Sequence, residues 1–347
     1  MMRKATGGTG LSHHLLKPSR TAPTDEREAE EALLHFVASR RNLLVITGAG
    51  ISTESGLPDY RGPQGSYAKG HKPTLYRDFV TSPSVRQRYW ARNMLGWESF
   101  SRVQPNPAHL ALARMQREGV FQHLNVDRLH QRAGSHGVVE LHGHNWAVRY
   151  DPSHVDEKGG GWWWLVVAGC GHEEDRAHFQ ARLLAANPDW LPEAKAAASS
   201  PVVAGTPAPV APSSVPVSAA FFASSSVSAE EAGGIRPDGD ANVPFHDHSQ
   251  FCVPSCTACH VGVVVVVEEA MSHTLSSDGV LVIGSSLMVY SAFRFVRAAD
   301  ATHLPIALLN IGPTRADALS SIHLKLELKA GHVLPQLASS LLSSSAL

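Results

Sequence analysis

The apolar and polar positions near the start of the chain follow a helical pattern. Apolar residues recur at helical spacing after Asp25, and Glu26 and Glu28 would lie in the first turn, where acidic side chains are favourable. The pattern predicts a helix that begins at residues 24–25 and ends near Arg41. The recurring apolar positions are Ala29, Leu33, Phe36 and Val37.

Three short apolar runs each end in small and polar residues. They are NLLVITGAG (42–50), DGVLVIGSS (278–286) and LPIALLNIGPT (304–314). A continuous apolar run is typical of a strand that is buried on both faces, and its glycine-containing end predicts a tight turn. Three such runs predict a parallel α/β sheet, whose ligands bind at the carboxyl ends of the strands.

The composition changes at two places along the chain. Residues 196–234 are rich in Ala, Ser, Pro and Val and carry almost no charge until their end, which is typical of a disordered insertion. The first 24 residues contain four basic residues and no acidic residue. A short transit peptide and an ordinary disordered N-terminus share that pattern.

The totals restrict the class of protein. A chain of 347 residues is long enough for one large domain and one smaller domain. The formal net charge of −1 gives no support to a nucleic-acid partner. The longest apolar runs, at residues 162–168 and 263–267, are far shorter than the roughly 18 residues that a membrane-spanning helix needs. We therefore expect neither a nucleic-acid partner nor a membrane span.

The run TGAGISTESGLPDYRG at residues 47–62 carries the clearest chemistry. Gly48 and Gly50 allow the backbone to turn sharply and to approach a phosphate group. The run lacks the third glycine of G-x-G-x-x-G, and no acidic residue follows a second strand about 20 residues on, which argues against an ordinary NAD dehydrogenase. The polar residues after the glycines are too dense for a plain turn; they are Ser52, Thr53, Glu54, Asp59 and Arg61.

The same run resembles the NAD-binding signature of the sirtuins, the NAD-dependent protein deacylases. Residues 78–97, DFVTSPSVRQRYWARNMLGW, resemble the class II branch, to which a mitochondrial animal member belongs. The resemblance covers residues 31–150 and 278–337 well and the middle of the chain poorly. Other segments that resemble sirtuin motifs, in the family's order, are QPNPAH (104–109), NVDRLHQRAGS (125–135), ELHG (140–143), GSSLMVY (284–290) and LNIGPT (309–314).

The resemblance implies an α/β fold in which a Rossmann-like parallel sheet domain binds NAD beside a small zinc-binding module. It implies an NAD-dependent protein-lysine deacylase (deacetylase), with ADP-ribosyl transfer as a further activity. In this family the acyl-lysine oxygen attacks the nicotinamide ribose as nicotinamide leaves, and the acyl group passes to ADP-ribose. The implied cofactors are NAD and zinc, and the implied partners are acylated lysine side chains of protein substrates.

The resemblance also assigns roles to single residues. His142 would be the general base that takes a proton from a ribose hydroxyl, a role that suits an imidazole with a pKa of about 6.5 at a strand end. Asn125 and Asp127 would act in catalysis at the nicotinamide end of NAD; the alternative is that they are turn residues. The residues implied for NAD are Gly48, Ala49, Gly50, Ser52, Thr53, Asp59, Tyr60, Arg61, Asn125, Asp127, Gly284, Ser285, Ser286, Asn310, Ile311 and Gly312.

The family's zinc site uses two Cys-x-x-Cys pairs, and the later pair is present. Cys256 and Cys259 have the two-residue spacing that lets both thiolates reach one ion. Cys170 is what remains of the earlier pair, and Cys252 is the expected fourth ligand. The alternatives for that fourth position are His172 and His260.

The run GGGWWWLVVAG at residues 159–169 stands where the earlier pair should begin. We interpret it as an insertion that splits the first zinc knuckle. The alternative is a loop that contacts a membrane, because Trp favours membrane interfaces.

Two further departures from the family concern its chemistry. His123 and Leu124 stand where the family has Thr and Gln, so one polar contact to NAD is expected to be lost. Residues 260–275, HVGVVVVVEEAMSHTL, are shorter than the family's segment that pairs with the acyl-lysine peptide. The alternative function is therefore an NAD-binding pseudoenzyme with a damaged substrate groove.

These observations together predict the organisation of the chain. Residues 1–24 form a disordered N-terminus or transit peptide, and the expected location is the mitochondrial matrix or, without a transit peptide, the cytoplasm. Residues 25–147 and 268–340 form the Rossmann-type core. Residues 148–267 form the zinc-binding module, which the low-complexity insertion at 196–234 interrupts.

Overall fold

The computed structural model describes most of the expected core and parts of the expected module. Residues 1–24, the tryptophan run and the insertion at 196–234 lie outside the described residues. The described residues are 25–124, 129–139, 146–149, 172–188, 190, 236–241, 248–258 and 276–344.

The described residues form strands, α-helices and one 3₁₀ helix, Ala49–Ser55. The strands are β1 (Leu43–Thr47), β2 (Phe121–Leu124), β3 (Ala147–Arg149), β4 (Glu173–Asp175), β5 (Gly279–Ile283), β6 (Ile306–Leu309) and β7 (Ile322–Leu326). The helices are α1 (Glu26–Ala38), α2 (Tyr76–Thr81), α3 (Pro83–Arg102), α4 (Pro107–Arg117), α5 (Leu129–Arg132), α6 (Arg176–Ala186), α7 (Tyr290–Ala301) and α8 (Ala330–Ser344).

A parallel sheet forms the centre of the larger unit. Its five strands stand in the order β2-β1-β5-β6-β7, and every pair is parallel. The three apolar runs expected to be strands are β1, β5 and β6, which confirms the parallel α/β fold. Both outer strands, β2 and β7, are additions to the three strands that the sequence predicted.

Helices cover both faces of this sheet. Leu43 and Val45 of β1 point into a core that α1, α4 and α8 complete, whereas Leu44 and Ile46 point into a core beneath α7. All residues of β1, β5 and β6 are buried. Burial on both faces explains why these strands are continuous apolar runs rather than alternating ones.

The first helix confirms the predicted start and corrects the predicted end. The side chain of Asp25 caps α1 by accepting the N–H of Arg27, and the four predicted apolar positions are buried. The helix ends at Ala38 instead of near Arg41. The backbone N–H groups of Arg41 and Asn42 donate to the carboxylate of Asp278, at 2.6 and 3.1 Å, so a contact distant in sequence ends the helix.

A second, smaller core joins α3 to the described parts of the expected zinc-binding module. Val148 of β3 and Phe179 of α6 pack with Trp90 of α3 and with Phe251. Cys256 is buried in the same core. No helix within the described ranges is long and apolar enough to cross a membrane.

Candidate functional site

The loops after three neighbouring strands are joined side by side at one edge of the sheet. The N–H of Gly48, after β1, donates to the carbonyl of Ile283 at 3.0 Å, and the N–H of Gly50 donates to that of Gly284 at 2.8 Å. The N–H of Gly284 donates in turn to the carbonyl of Leu309 in β6 at 2.9 Å. These bonds place the carboxyl ends of β1, β5 and β6 together, where open parallel sheets bind their ligands.

The two glycines predicted to approach a phosphate also make this contact between loops possible. A Cβ atom on Gly48 would lie 2.6 Å from the Cβ of Ser285, and one on Gly50 would lie 2.7 Å from the carbonyl oxygen of Gly284. Both distances are shorter than non-bonded atoms tolerate. Glycine is needed at both positions for space.

A buried layer of polar side chains supports the 3₁₀ helix from below. Asn106 caps α4 by accepting the N–H groups of Ala108 and His109, and its Nδ2 donates to the carbonyl of Ile51 at 2.7 Å. The Nε2 of His109 lies 3.4 Å from the Oγ of Ser52, and both residues are buried. The layer therefore fixes Ser52, one of the predicted NAD-binding residues.

A second histidine extends this layer to the end of β1. The rings of His109 and His130 lie 4.7 Å apart, and both residues are fully buried. The Nε2 of His130 is 3.2 Å from the Oγ1 of Thr47. The two histidines thus connect Thr47 to Ser52 beneath the turn.

Asp59 organises its own loop. Its Oδ1 accepts the N–H of Gly62 at 2.9 Å, and its carbonyl accepts the N–H of Ser66 at the same distance. A Cβ on Gly62 or Gly65 would run into the Asp59 carboxylate. The side chain is thus engaged in shaping residues 59–66.

Tyr60 and Arg61 extend from this loop towards Tyr67. The rings of Tyr60 and Tyr67 lie 5.4 Å apart, and the exposed guanidinium of Arg61 lies 4.8 Å from the centre of the Tyr67 ring. Burial, followed by the nearby carboxylate of Asp238, raises the pKa of Tyr60 well above its ordinary value. The Tyr60 hydroxyl therefore stays protonated, and Arg61 presents the positive charge.

The loops after β5 and β6 offer polar groups beside exposed apolar surface. Gly284 and Leu287 have positive φ, and the Oγ of Ser285 accepts the N–H of Leu287 at 3.3 Å. After β6, the Nδ2 of Asn310 donates to the carbonyls of Ile311 and Gly312, both at 3.2 Å. The large apolar side chains exposed after these two strands are Met288, Val289, Tyr290 and Ile311.

A charged cluster lies behind the 59–67 loop. Arg236 and Asp240 form a buried ion pair at 3.8 Å. Burial, reinforced by Asp238, raises the pKa of Asp240 well above its ordinary value. Burial, together with the positive charges of Arg236 and Arg92, lowers the pKa of His71 to about 4. Residues 236–241 thus bring charge next to the predicted site.

The structure describes one half of the later cysteine pair. The Sγ of buried Cys256 accepts the N–H of Ala258 at 3.3 Å, so the chain turns back over the sulfur. The neighbouring Thr257 side chain contacts the Nε2 of His172 at 3.2 Å. Cys170 and Cys259 lie outside the described residues.

Hydrogen bonds of its backbone to Asn187 fix the position of Cys252. Its N–H donates to the Oδ1 of Asn187 at 2.7 Å, its carbonyl accepts from the Nδ2 at 2.8 Å, and the residue is exposed. Within the described ranges, three potential metal-ligand atoms approach within 4.8 Å of one another at one place only. That place is Glu26, Glu30 and His332, where the Nδ1 of His332 in α8 lies 2.8 Å from a carboxylate oxygen of Glu26 in α1.

The structure describes some of the predicted site residues and not others. The predicted residues Gly48, Gly50 and Gly284 come together at one edge of the sheet, whereas Asn125, Asp127 and His142 lie outside the described residues. Sequence reasoning missed the supporting layer of Asn106, His109 and His130. Its signal was the Asn-Pro pair of QPNPAH, a helix start with a histidine three residues after the cap.

The chain is similar in sequence to a known protein family and to several known proteins. The model of the Sir2 family matches residues 48–159. The chain is 38% identical over 319 residues to the NAD-dependent protein deacylase Sirt4 of Drosophila melanogaster, covering 87% of this chain and 84% of that protein. It is 37% identical over 330 residues to the NAD-dependent protein lipoamidase sirtuin-4, mitochondrial, of Bos taurus, covering 90% and 86%. It is 37% identical over 310 residues to the NAD-dependent protein deacetylase 2 of Bradyrhizobium diazoefficiens, covering 85% and 93%.

Solved structures agree with the fold. A structure described as the structural basis for the mechanism and regulation of Sir2 enzymes aligns over 92% of this chain and 99% of its own, with a TM-score of 0.54 and 23% identity. A Sir2 homolog–NAD complex aligns over 93% and 96%, with a TM-score of 0.54 and 22% identity. Since sequence relatives at 37–38% identity span most of both chains, this protein belongs to the Sir2 family, the sirtuins, in the branch that includes the sirtuin-4 proteins.

Proposed function

We propose that the protein is an NAD-dependent protein-lysine deacylase. The observation that carries the proposal is the joined edge of β1, β5 and β6, where the loops of a sirtuin's NAD-binding motifs lie side by side. The relatives named above are each called NAD-dependent, as a deacylase, a lipoamidase and a deacetylase. The substrates are accordingly acylated lysine side chains of proteins.

The described residues fit NAD. Arg61 presents an exposed guanidinium suited to a phosphate, and Ser285 and Asn310 supply polar groups after β5 and β6. The exposed Ile311 offers apolar surface to a base. We assign NAD to Gly48, Ala49, Gly50, Ser52, Thr53, Asp59, Tyr60, Arg61, Asn125, Asp127, Gly284, Ser285, Ser286, Asn310, Ile311 and Gly312.

The chemistry divides between the cofactor and the chain. NAD, when bound, supplies the ribose carbon that takes the acyl oxygen as nicotinamide leaves. We assign to His142 the removal of a proton from a ribose hydroxyl, and to Asn125 and Asp127 the ordering of the nicotinamide end. In support, β2 ends at Leu124, which pairs with Ile46 near the carboxyl end of β1.

Replacing His142 tests the proposal. We expect His142→Ala to reduce nicotinamide release with an acyl-lysine peptide by a factor of about 100 or more, because a general base contributes that much. The dissociation constant for NAD, measured by calorimetry, should change little. His144→Ala, a change to a histidine two residues on, is the matched control. Full turnover in His142→Ala would exclude this base, and a wild type that binds NAD without releasing nicotinamide would be the pseudoenzyme.

We also propose that Cys170, Cys252, Cys256 and Cys259 hold one zinc ion. The turn of the chain over the Cys256 sulfur supports the proposal, because a thiolate that accepts a backbone N–H is held in place for a metal. Zinc at this position would be structural, because it would join cysteines that lie far apart in the sequence.

We propose a mitochondrial location. The sirtuin-4 relatives of Bos taurus and Homo sapiens carry the word mitochondrial in their names, and the first 24 residues of this chain have four basic residues and no acidic one. Import of a fluorescent fusion into mitochondria tests it, and a fusion without residues 1–24 is the control.

A further inference from the structure

The carboxylate of Glu54, in the 3₁₀ helix, contacts the first turn of α8. Its Oε2 accepts the backbone N–H of Gly331 at 2.8 Å. Of the neighbouring polar side chains of the 3₁₀ helix, Ser52 is buried against His109, and the exposed Thr53 bonds the carbonyl of Gly50 in its own helix. Glu54 thus connects the outer end of the 3₁₀ helix to a different element.

The N-terminal turn of α8 needs this acceptor. The N–H groups of His332 and Val333 both donate to the carbonyl of Lys329, whereas the N–H of Gly331 points to Glu54. Lys329 precedes the helix, and its side chain has no acceptor atom that could cap the turn. A carboxylate at a helix N-terminus is also favoured by the helix dipole. Glu54 therefore caps α8 from a distance of 277 residues along the chain.

Gly331 provides the space for this contact. A Cβ at that position would lie 2.7 Å from both carboxylate oxygens of Glu54 and 2.8 Å from its Cδ. The φ angle of Gly331 is not in the positive region, so conformation alone does not call for glycine there. Glycine in a helix lowers the stability relative to alanine. The advantage of glycine at position 331 is the space that it leaves for the carboxylate of Glu54.

The 3₁₀ helix is held at three points, of which Glu54 is the outermost. Its first residues are bonded to the β5 loop through Gly50, and its middle to α4 through the Asn106–Ile51 bond. Helix α8 is a firm anchor, because Val333 and Leu334 are buried in the same core as Ile51. Within the described residues, the Glu54–Gly331 bond connects the last part of the 3₁₀ helix to that anchor.

We propose that Glu54 is a positioning residue, whose bond to Gly331 holds the 47–62 segment in the form that binds NAD. The inference rests on the proposed NAD site. Loss of the bond should weaken NAD binding while leaving the chemical step unaffected, because Glu54 is not among the residues assigned to NAD or to catalysis. The expected signature is a higher KM for NAD at an unchanged kcat.

A double-mutant cycle tests the inference. We expect Glu54→Ala to raise the dissociation constant and KM for NAD by about three-fold, the size expected for a carboxylate at an exposed helix N-terminus, with kcat within about two-fold. Gly331→Ala should do the same, because its methyl group displaces the carboxylate. The double variant should be no weaker than Glu54→Ala alone, since the contact can be lost only once. Glu54→Gln, which keeps an acceptor oxygen, should restore part of the affinity.

The control is Glu327→Ala, which removes a different exposed carboxylate shortly before α8 and should leave NAD binding unchanged. Melting temperatures are measured on every variant. A lower melting temperature with unchanged NAD affinity, or additive effects in the double variant, would overturn the positioning role. A wild-type protein that does not bind NAD would instead overturn the proposed function, so the two failures are distinguishable.

Discussion

Gly50 and Gly56 lie in the same segment, but glycine is required at the two positions for different physical reasons. Gly50 lies against the backbone of Gly284, and a Cβ would come within 2.7 Å of its carbonyl oxygen. Gly56, which ends the 3₁₀ helix, has a φ of +88° and nothing within 4 Å of a Cβ. The first glycine is required for space and the second for backbone conformation.

Alanine at these two positions should therefore act differently. We expect Gly50→Ala to lower the free energy of unfolding by about 1–3 kcal/mol and to weaken NAD binding strongly, because two joined loops must separate. Gly56→Ala should cost about 1–2 kcal/mol through left-handed backbone strain, with NAD affinity nearly unchanged. Urea unfolding and calorimetry measure both effects. Equal NAD affinities in the two variants would contradict the role of Gly50.

A second residue-scale prediction concerns His71 and pH. Burial and the charges of Arg236 and Arg92 lower its pKa from 6.5 to about 4 in the folded protein. The unfolded chain therefore binds a proton more readily, and the stability tied to neutral His71 is complete above pH 6.5 and lost as the pH falls towards 4.

The His71→Gln variant isolates this effect. We expect the free energy of unfolding of the wild type, relative to that of the variant, to fall by about 1 kcal/mol from pH 7 to pH 4.5. This value is smaller than the full pKa shift implies, because solvent screens the half-buried ring. Urea unfolding at both pH values measures it. A difference that is constant with pH would show that His71 does not titrate in this way.

At the scale of elements, one arginine joins the smaller module to α3. Arg176 begins α6, is fully buried, and bonds the Oδ1 of Asn93 through Nε at 3.2 Å and Nη2 at 2.6 Å. Its guanidinium lies 4.6 Å from the ring centre of Trp97 and 5.4 Å from that of Trp90. Burial lowers its pKa to about 10, so it stays charged at neutral pH.

A lysine ammonium cannot form the planar contact that the Arg176 guanidinium makes with Asn93 through two nitrogen atoms. We expect Arg176→Lys to lower the free energy of unfolding by about 2 kcal/mol, because a buried hydrogen-bonding group loses its partner. Arg182→Lys is the matched control on the same helix, where the partly exposed ion pair with Glu174 should cost less than about 1 kcal/mol. Similar losses in both variants would show that Arg176 does not have a special role between these elements.

The proposed zinc ion would act at the scale of the whole molecule, because it would join residues far apart in the sequence. We expect about one zinc per chain in purified protein, and release by a chelator should lower the melting temperature. Cys256→Ser should lose the metal, and Cys252→Ser should bind it more weakly. Metal analysis by mass spectrometry checks both. Protein without zinc would refute the site, and a Cys252→Ser variant with normal zinc would remove that residue from it.

Some features of the fold follow from local sequence. The start of α1 is set by Asp25 and the acidic first turn, and β1, β5 and β6 are recognisable because strands buried on both faces must be continuously apolar. The edge of the sheet used for the predicted NAD site follows from the same three strand ends. These properties depend on neighbours within a few residues.

Other features required the folded structure, because they depend on groups that meet only in three dimensions. The end of α1 depends on Asp278. The buried polar layer beneath the 3₁₀ helix depends on His109 and His130, and the bond that anchors the last part of that helix depends on Gly331. No periodicity or spacing encodes these partners, since each bond joins residues at least 57 positions apart. The sequence by itself determined the family, the three central strands of the sheet and the edge at which NAD is expected. The tertiary structure decided the two outer strands and the side chains that hold that edge in place.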